Sequence, residues 1–254
     1  MKHIFDAYAH AQKETHIASA DTVVVFIHGI LGSPAHFDFL LAHAHAAGVS
    51  TASLLLPGHG GAGIAFAKTD VTQWKNYVLA QIEPLTKRYK RVLLYGHSMG
   101  CLLSIYAARA LLGAVHGMFF LALPLHIRLS WRAIALSFTA LFSRKETPQM
   151  AAVKVSYSIA PTPLYVYVRW LPNFIRLLRF AKETRRQGDF PDIETVCLFS
   201  AHDELVPPCA ARAAQKHLHS GRLRCEELPH SGHYLYDEHD LARMTELFLA
   251  WLSA

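Results

Sequence analysis

The chain has 254 residues, of which 52% are hydrophobic and 17% are charged. This length and composition are typical of one large globular domain with a sizeable core, and they exclude a disordered chain or a charged tail protein. The net charge of +6 is compatible with anionic ligands, but no recognition motif for nucleic acid accompanies it, so we expect no nucleic-acid partner.

The first twenty residues show little periodicity, and we expect one or two short edge strands there, for example around Ile17. Residues 1–16 are polar and charged and lack the apolar core of a signal peptide. No apolar run reaches the ~18–20 residues of a membrane-spanning helix. The four cysteines are scattered without a Cys-x-x-Cys pair. We therefore expect reduced thiols and a cytoplasmic location.

Strands and helices alternate through the first half of the chain. The β-branched run Asp21–Ile27 is typical of a strand buried on both faces of a parallel sheet. Pro84 lies inside a helical pattern, which it is expected to bend or divide. The other predicted elements here are a glycine-rich turn at 28–34, a helix at 35–47, a strand at 49–56, the loop Pro57-Gly58-His59-Gly60-Gly61 and a helix at 71–89.

The sequence Gly96-His97-Ser98-Met99-Gly100 fits the pattern G-x-S-x-G, between an apolar strand at 91–95 and a helix at 99–112. A serine hydroxyl is a weak nucleophile, so it must be lifted clear of the backbone and paired with a base. A sharp strand-to-helix turn lifts it, and this turn leaves room only for small residues two positions before and after the serine. The pattern and its context therefore make Ser98 the candidate nucleophile.

The alternation continues with a strand at 117–123, stops between 125 and 192, and resumes to the end of the chain. This order predicts a mainly parallel sheet with right-handed crossovers. Ligands bind such sheets outside the carboxyl ends of the strands. The candidate loops all follow strands and are expected at that rim. The last predicted elements are strands at 195–200 and 223–228 and helices at 208–219 and 237–252.

The nucleophile needs a base, and the base needs an orienting carboxylate. His233 follows the last predicted strand in the sequence Ser231-Gly232-His233, and we take it as the base, with His230 in the same loop as the alternative. Asp203 lies just past a strand end and is the candidate acid, with Glu204 as the alternative. The chain order Ser, Asp, His is the one expected for this type of hydrolase.

Two backbone N–H groups are expected to stabilise the developing oxyanion, those of Met99, directly after the nucleophile, and of Ile30, after the first parallel strand. His28 and His97 flank glycine turns, and we interpret them as packing residues. We interpret His59 as a turn residue, with lining of the site as the alternative. The chain has no HExxH pattern, no Cys/His cluster at zinc spacing, no GxGxxG after the first strand and no P-loop. We therefore expect neither a metal nor a cofactor.

Five motifs in this order, FIHGILGSP, LLPGHG, YGHSMG, HDELVP and SGHYLY, resemble those of the α/β-hydrolase superfamily, in its carboxylesterase and monoacylglycerol-lipase branch. The resemblance covers nearly the whole chain. It implies an α/β-hydrolase fold with a mostly parallel sheet flanked by helices, and it implies the same triad and oxyanion donors. It also implies a core domain at 1–124 and 193–254 and a helical cap at 125–192. Branches with an aspartate nucleophile, such as haloalkane dehalogenases, do not fit, because Ser98 holds that place.

The predicted cap is rich in aromatic and basic residues. Leu125–Phe190 carries eleven Lys and Arg against three Asp and Glu, a net charge of +8, which leaves −2 on the rest of the chain. We interpret this charge as a solvated face, with weak contact to an anionic membrane surface as the alternative. Trp131, Phe138 and Phe142 belong to an apolar stripe that either packs on the core or lines an acyl pocket, and they are the candidate substrate-binding residues.

These observations predict a cofactor-free serine hydrolase that acts through an acyl-enzyme on short-to-medium acyl esters, with monoacylglycerols among the candidates. The expected partner is a small, lipid-like ester. A thioesterase, amidase or carbon–carbon hydrolase would use the same triad, and a slow-turnover ligand-binding protein of this fold is a further alternative. The sequence leaves the acyl length, the leaving group and the oligomeric state open.

Overall fold

The computed structural model describes residues 10–128, 156–188, 190–217 and 222–254. In this part of the chain, seven strands form one sheet in the order β1-β3-β2-β4-β5-β6-β7. Only β1 is antiparallel to its neighbour, and this confirms the predicted α/β class with a mostly parallel sheet. The strands are β1 (Lys13–Thr15), β2 (Thr22–Ile27), β3 (Ser50–Leu54), β4 (Arg91–His97), β5 (Gly117–Leu121), β6 (Glu194–Ser200) and β7 (Leu223–Leu228).

Helices cover both faces of the sheet. Along β2, Val23, Val25 and Ile27 point into one apolar cluster, whereas Val24 and Phe26 point into another on the opposite face. Both sets are buried, which explains the continuous β-branched run. The helices are α1 (Asp38–Ala46), α2 (Gly63–Ala67), α3 (Val71–Arg88), α4 (Met99–Ala110), α5 (Leu164–Val168), α6 (Leu171–Gln187), α7 (Cys209–His217) and α8 (Glu238–Ser253).

The helices differ from the sequence-based expectations at three places. The first predicted helix opens as a 3₁₀ turn over Pro34–Phe37, and α2 was not predicted. Pro84 does not divide α3, which runs unbroken to Arg88. Pro84 and Ala80 both lie on the exposed side of α3, so water can bond the Ala80 carbonyl that loses its helical donor.

The segment between β5 and β6 contains α5 and α6 in its described part, in agreement with the expected helical character. It contacts α2, which precedes it in sequence: the Trp170 indole N–H donates to the Gly63 carbonyl at 2.9 Å, and the Asn173 amide donates to the Phe66 carbonyl at 2.9 Å. Its assignment as a separate cap, with a core at 1–124 and 193–254, remains a prediction. In the part of the chain that the structure describes, no helix has the length and apolar character needed to cross a membrane.

The parallel strands bring the candidate loops to one edge of the sheet. Strands β2 and β4 pair in register and are followed by the loop at 28–33 and by Ser98. Strands β6 and β7 also pair in register, and the loops after them carry Asp203 and His233. The carboxyl ends of neighbouring parallel strands meet at the same edge, so residues distant in sequence become neighbours there.

Candidate active site

Ser98 occupies a strained turn between β4 and α4. Its φ of 53° and ψ of −121° lie outside the conformations that side-chain-bearing residues ordinarily adopt. Hydrogen bonds on both sides hold it there, from its own N–H to the Leu121 carbonyl and from the Cys101 N–H to its carbonyl, both at 2.9 Å. The turn thus has the strain expected of a nucleophile held clear of the backbone.

The turn requires glycine because other backbone lies against it. A Cβ on Gly100 would lie 1.8 Å from the Ile27 carbonyl oxygen, and one on Gly96 would lie 2.6 Å from the Cys101 nitrogen. Neither neighbour is a flexible side-chain end that can move aside. The requirement for small residues that the sequence pattern implied therefore has a direct steric cause.

The loop after β2 lies against the nucleophile. A Cβ on Gly29 would come within 2.9 Å of the Ser98 Cβ, so the backbone at this point passes directly over the serine. Among the described residues, neither the Ile30 N–H nor the Met99 N–H donates to a backbone carbonyl. In the described part of the chain, no backbone carbonyl outside α4 therefore competes with a ligand for these two candidate oxyanion donors.

His233 and Asp203 form a buried pair. The distance between His233 Nδ1 and Asp203 Oδ2 is 2.7 Å, and the two side chains are each 1% exposed. The other carboxylate oxygen, Oδ1, accepts hydrogen bonds from the N–H groups of Leu205 and Val206, both at 2.7 Å. These bonds fix the carboxylate, which in turn fixes the orientation of the imidazole ring.

The other ring nitrogen of His233 has the environment of a base. Nε2 is buried and has no hydrogen-bond partner among the described residues. A neutral imidazole that donates from Nδ1 to Asp203 keeps its lone pair on Nε2. The hydrogen bond from Ser98 to Nε2 is not formed in this structure; such bonds are often longer in unliganded sites and tighten when substrate binds.

The backbone of His233 is also held on three sides. Its carbonyl accepts hydrogen bonds from the Tyr236 hydroxyl at 2.8 Å and from His97 Nε2 at 3.2 Å, and its N–H donates to Glu204 Oε2 at 3.2 Å. His97, expected to be a packing residue, thus links the nucleophile turn to the loop that carries the base. Sequence reasoning missed Tyr236 and Glu204 in these supporting positions, because hydroxyl and carboxylate contacts to a backbone have no distinctive sequence spacing.

The alternative base, His230, and the alternative acid, Glu204, do not take part in the contact between the imidazole ring and the carboxylate. The side chain of His230 is exposed, and its backbone N–H donates to Asp240 Oδ2 at 2.8 Å. Glu204 contacts the His233 backbone N–H, whereas Asp203 contacts the ring. The geometry therefore favours His233 over His230 and Asp203 over Glu204.

The substrate-binding candidates Trp131, Phe138 and Phe142 lie outside the described residues. Their role stays a prediction.

His28 and His59 connect the loop after β2 to the loop after β3. His28 donates from Nδ1 to the Gly29 carbonyl at 2.8 Å and accepts from the Leu56 N–H at 3.1 Å. His59 donates from Nδ1 to the Pro57 carbonyl at 3.2 Å and accepts from the Leu31 N–H at 3.1 Å. Each ring uses both nitrogens, which requires the neutral form with its proton on Nδ1.

The environment of the two rings keeps them neutral. Burial lowers the pKa of His28 well below its usual value, and the neighbouring His59 lowers it further. Burial also lowers the pKa of His59 to about 4, against the opposing effect of its backbone hydrogen bonds. The ring centroids lie 4.8 Å apart in an edge-on arrangement. At neutral pH these histidines therefore brace two loops and carry no charge.

We expect His59→Leu to weaken the loop that carries the Ile30 N–H. The substitution leaves the buried Leu31 N–H without an acceptor, at a residue whose φ of 62° is already strained. Such an unsatisfied group costs about 1–3 kcal/mol. We expect the free energy of unfolding, measured with urea, to fall by about that amount. For an ester that the protein hydrolyses, we expect kcat to fall by a larger factor than KM changes.

His59→Gln is the matched control, because its side-chain oxygen can accept the same hydrogen bond. It should recover more than half of the lost stability and of the lost kcat. Equal behaviour of the leucine and glutamine variants would show that the hydrogen bond to Leu31 does not brace the loop.

Comparisons with known proteins agree with the fold. The model of the Alpha/beta hydrolase family matches residues 24–247. No curated protein sequence gives a significant match. The family match spans most of the chain and includes all the residues of the candidate site.

Similar solved structures include a metagenome-derived lipolytic enzyme (TM-score 0.75, 20% identity, 96% of this chain and 98% of that chain). They also include a monoacylglycerol lipase of Paleococcus ferrophilus (TM-score 0.67, 16% identity, 96% of this chain and 97% of that chain). A third is a soluble variant of monoglyceride lipase from Saccharomyces cerevisiae (TM-score 0.72, 14% identity, 95% of this chain and 89% of that chain). At such identities the likeness concerns the fold, and together with the family match it leads to one conclusion: this chain belongs to the alpha/beta hydrolase family.

Proposed function

We propose that the protein is a serine hydrolase that cleaves carboxylic esters of short-to-medium acyl chains through an acyl-enzyme intermediate. The observation that carries the proposal is the buried His233–Asp203 pair, with Nε2 of the ring unpartnered at the same sheet edge as the strained Ser98. Family membership supports hydrolysis as the general reaction. The serine mechanism and the ester substrate are our inference from the site.

In the proposed reaction, Ser98 Oγ attacks the ester carbonyl carbon while His233 Nε2 takes the hydroxyl proton. Asp203 stabilises the imidazolium that forms, and the N–H groups of Ile30 and Met99 bond the oxyanion. The tetrahedral intermediate then collapses, the carbon–oxygen bond to the alcohol breaks, and His233 returns its proton to the leaving alkoxide. Water attacks the acyl-serine in the same way, which releases the acid and restores Ser98.

The preference for lipid-like esters rests on two observations. The similar structures named above are a lipolytic enzyme, a monoacylglycerol lipase and a monoglyceride lipase. The loops around the candidate site are also lined by aromatic rings, including Tyr157 and Tyr234, whose centroids lie 5.6 Å apart, with Tyr234 4.7 Å from His233. An apolar surrounding of this kind favours an acyl chain over a charged substituent.

The test is hydrolysis of a series of p-nitrophenyl esters of increasing acyl length, with the wild type and Ser98→Ala side by side. We expect a rate that peaks at one chain length in the wild type and disappears in the variant. Ester hydrolysis that persists in Ser98→Ala would contradict the proposal. Activity confined to thioesters, amides or carbon–carbon bonds, and still dependent on Ser98, would keep the mechanism and overturn the substrate class.

A further inference from the structure

Five of the seven large apolar side chains that stand exposed in the described part of the chain lie together on α5 and the start of α6. We call them the apolar patch: Leu164, Tyr165, Val168, Leu171 and Ile175, exposed by 68%, 66%, 64%, 56% and 49%. Scattered exposed apolar residues are ordinary, but contiguous ones mark an interaction surface. This concentration within twelve residues therefore needs an explanation beyond chance.

Basic side chains continue the exposed face of α6 that begins with Leu171 and Ile175. Arg179, Lys182 and Arg186, which we call the basic stripe, are all exposed and form no salt bridge with a described carboxylate. At 3.6 residues per turn, they share an arc of roughly 80° with Leu171 and Ile175. The opposite side of α6, with Leu177, Phe180 and Ala181, is buried on the core.

The charge of this pair of helices is one-sided. Residues 164–187 contain six Lys and Arg and a single acid, Glu183. The helix thus shows one surface that is apolar at its first turn and cationic along the following three turns. A second copy of the chain would bring like charges together here. An anionic lipid surface instead offers apolar chains to the apolar patch and negative charge to the basic stripe.

The helices also adjoin the candidate active site. The Ser158 N–H donates to the Leu31 carbonyl at 3.0 Å, and the chain continues from there into α5. Trp170, at the junction of α5 and α6, bonds the Gly63 carbonyl in α2. The apolar patch therefore belongs to the segment that rests directly on the loops around Ser98.

We propose that the apolar patch and the basic stripe form a docking surface for the headgroup region of a bilayer that contains anionic phospholipid. Leu164, Val168, Leu171 and Ile175 enter the boundary between headgroups and acyl chains, while the basic stripe meets lipid phosphates. The position of the surface next to the site brings the proposed hydrolase to lipid-borne esters. The docking itself does not depend on turnover, so it stands or falls separately from the proposed function.

The test is co-sedimentation with vesicles of phosphatidylcholine, with or without about 30 mol % phosphatidylglycerol. We expect binding to the anionic vesicles, weak binding to the neutral ones, and a loss of most binding at about 0.5 M salt. The Ser98→Ala variant should bind as the wild type does. Loss of ester hydrolysis with intact vesicle binding, or the reverse, then separates the two proposals.

Two variants and their matched controls locate the surface. Arg179→Gln/Lys182→Gln/Arg186→Gln should weaken binding about a hundredfold, because each charge near an anionic surface contributes about a fivefold effect. The control Lys87→Gln/Arg88→Gln/Lys90→Gln removes the same charge from exposed positions at the end of α3 and should bind within about threefold of the wild type.

Leu164→Ser should weaken binding about tenfold, whereas Leu112→Ser, at a residue 87% exposed on another helix end, should leave it unchanged. All these side chains are exposed, so folding is not at risk, and circular dichroism checks it. Absence of binding, equal binding to both kinds of vesicle, or equal losses in variants and controls would overturn the proposal. Self-association that Leu164→Ser abolishes, without vesicle binding, would assign the patch to a second copy instead.

Discussion

Ser98→Ala and His233→Ala are each expected to lower kcat for an ester by about a millionfold, and the double variant should be no slower than either single one. In the proposed mechanism the hydroxyl and the imidazole act as one unit: without Nε2 the serine keeps its proton, and without the serine the base has nothing to activate. Initial rates at saturating substrate, with active-site concentration fixed by protein mass, measure these losses. Additive losses in the double variant would show that the two residues act independently.

The acid is tested by a neighbouring pair of substitutions. Asp203→Asn should lower kcat about ten-thousandfold, because an amide at this position no longer favours the Nδ1–H form of His233. Glu204→Gln is the matched control: Glu204 contacts the backbone N–H of His233, and its replacement should cost less than about tenfold. The opposite ranking of the two variants would make Glu204 the orienting acid.

Three buried histidines alone are expected to lower the folding free energy by about 4 kcal/mol between pH 7.5 and 5.5. His28, His59 and His97 are buried and neutral, and burial lowers the pKa of each, to about 4 for His59 and well below the usual value for the other two. In the unfolded chain they take up protons near pH 6.5. Such a loss is a large share of the roughly 5–15 kcal/mol that stabilises an ordinary domain.

The sign follows from which state binds the protons. Well above pH 6.5, the three histidines are neutral in both the folded and the unfolded state, so they cause no loss of stability. As the pH falls below 6.5, these histidines bind protons in the unfolded state but stay neutral in the folded state. The free energy of unfolding therefore falls by about 1.4 kcal/mol per pH unit for each histidine until its folded-state pKa is reached. For His59 this window closes near pH 4.

Urea unfolding at a series of pH values measures this effect. His59→Gln should remove about a third of the contribution of these three histidines, whereas His43→Gln, at an exposed position on α1, should leave the pH dependence unchanged. Stability that is flat from pH 7.5 to 5.5 would contradict the buried neutral state of these rings.

The sequence predicted the parts of the candidate site that a short motif or the order of strands and helices indicates. The spacing of Gly96, Ser98 and Gly100 indicates the turn, although the residue that excludes a side chain at Gly100 is Ile27 of a neighbouring strand. The loops after β6 and β7 indicate the candidate acid and base by their place in the alternation. The structure joins Asp203 to His233 because these strands are neighbours in a parallel sheet. The alternation of strands and helices was thus sufficient to predict the fold class and the edge of the sheet at which the candidate loops lie.

The remaining features depend on tertiary contacts that leave no local pattern. The link from His59 to Leu31 spans 28 residues, and Leu31 itself has a positive φ of 62°. The short helix α2 is held by Trp170 from a segment over a hundred residues later. The predicted apolar stripe lies at 131–142, whereas the exposed patch found on α5 and α6 reflects which side of each helix the core covers.

In the proposed site, His233 and Asp203 activate Ser98 as a nucleophile. The most direct measurement is the mass of the intact protein, and of its peptides, after reaction with a p-nitrophenyl alkylphosphonate, which stops at the covalent stage. We predict one adduct per chain, located on Ser98, with release of one equivalent of p-nitrophenol, and almost no adduct in His233→Ala. An adduct on another residue, or equal labelling of Ser98 without His233, would contradict the claim.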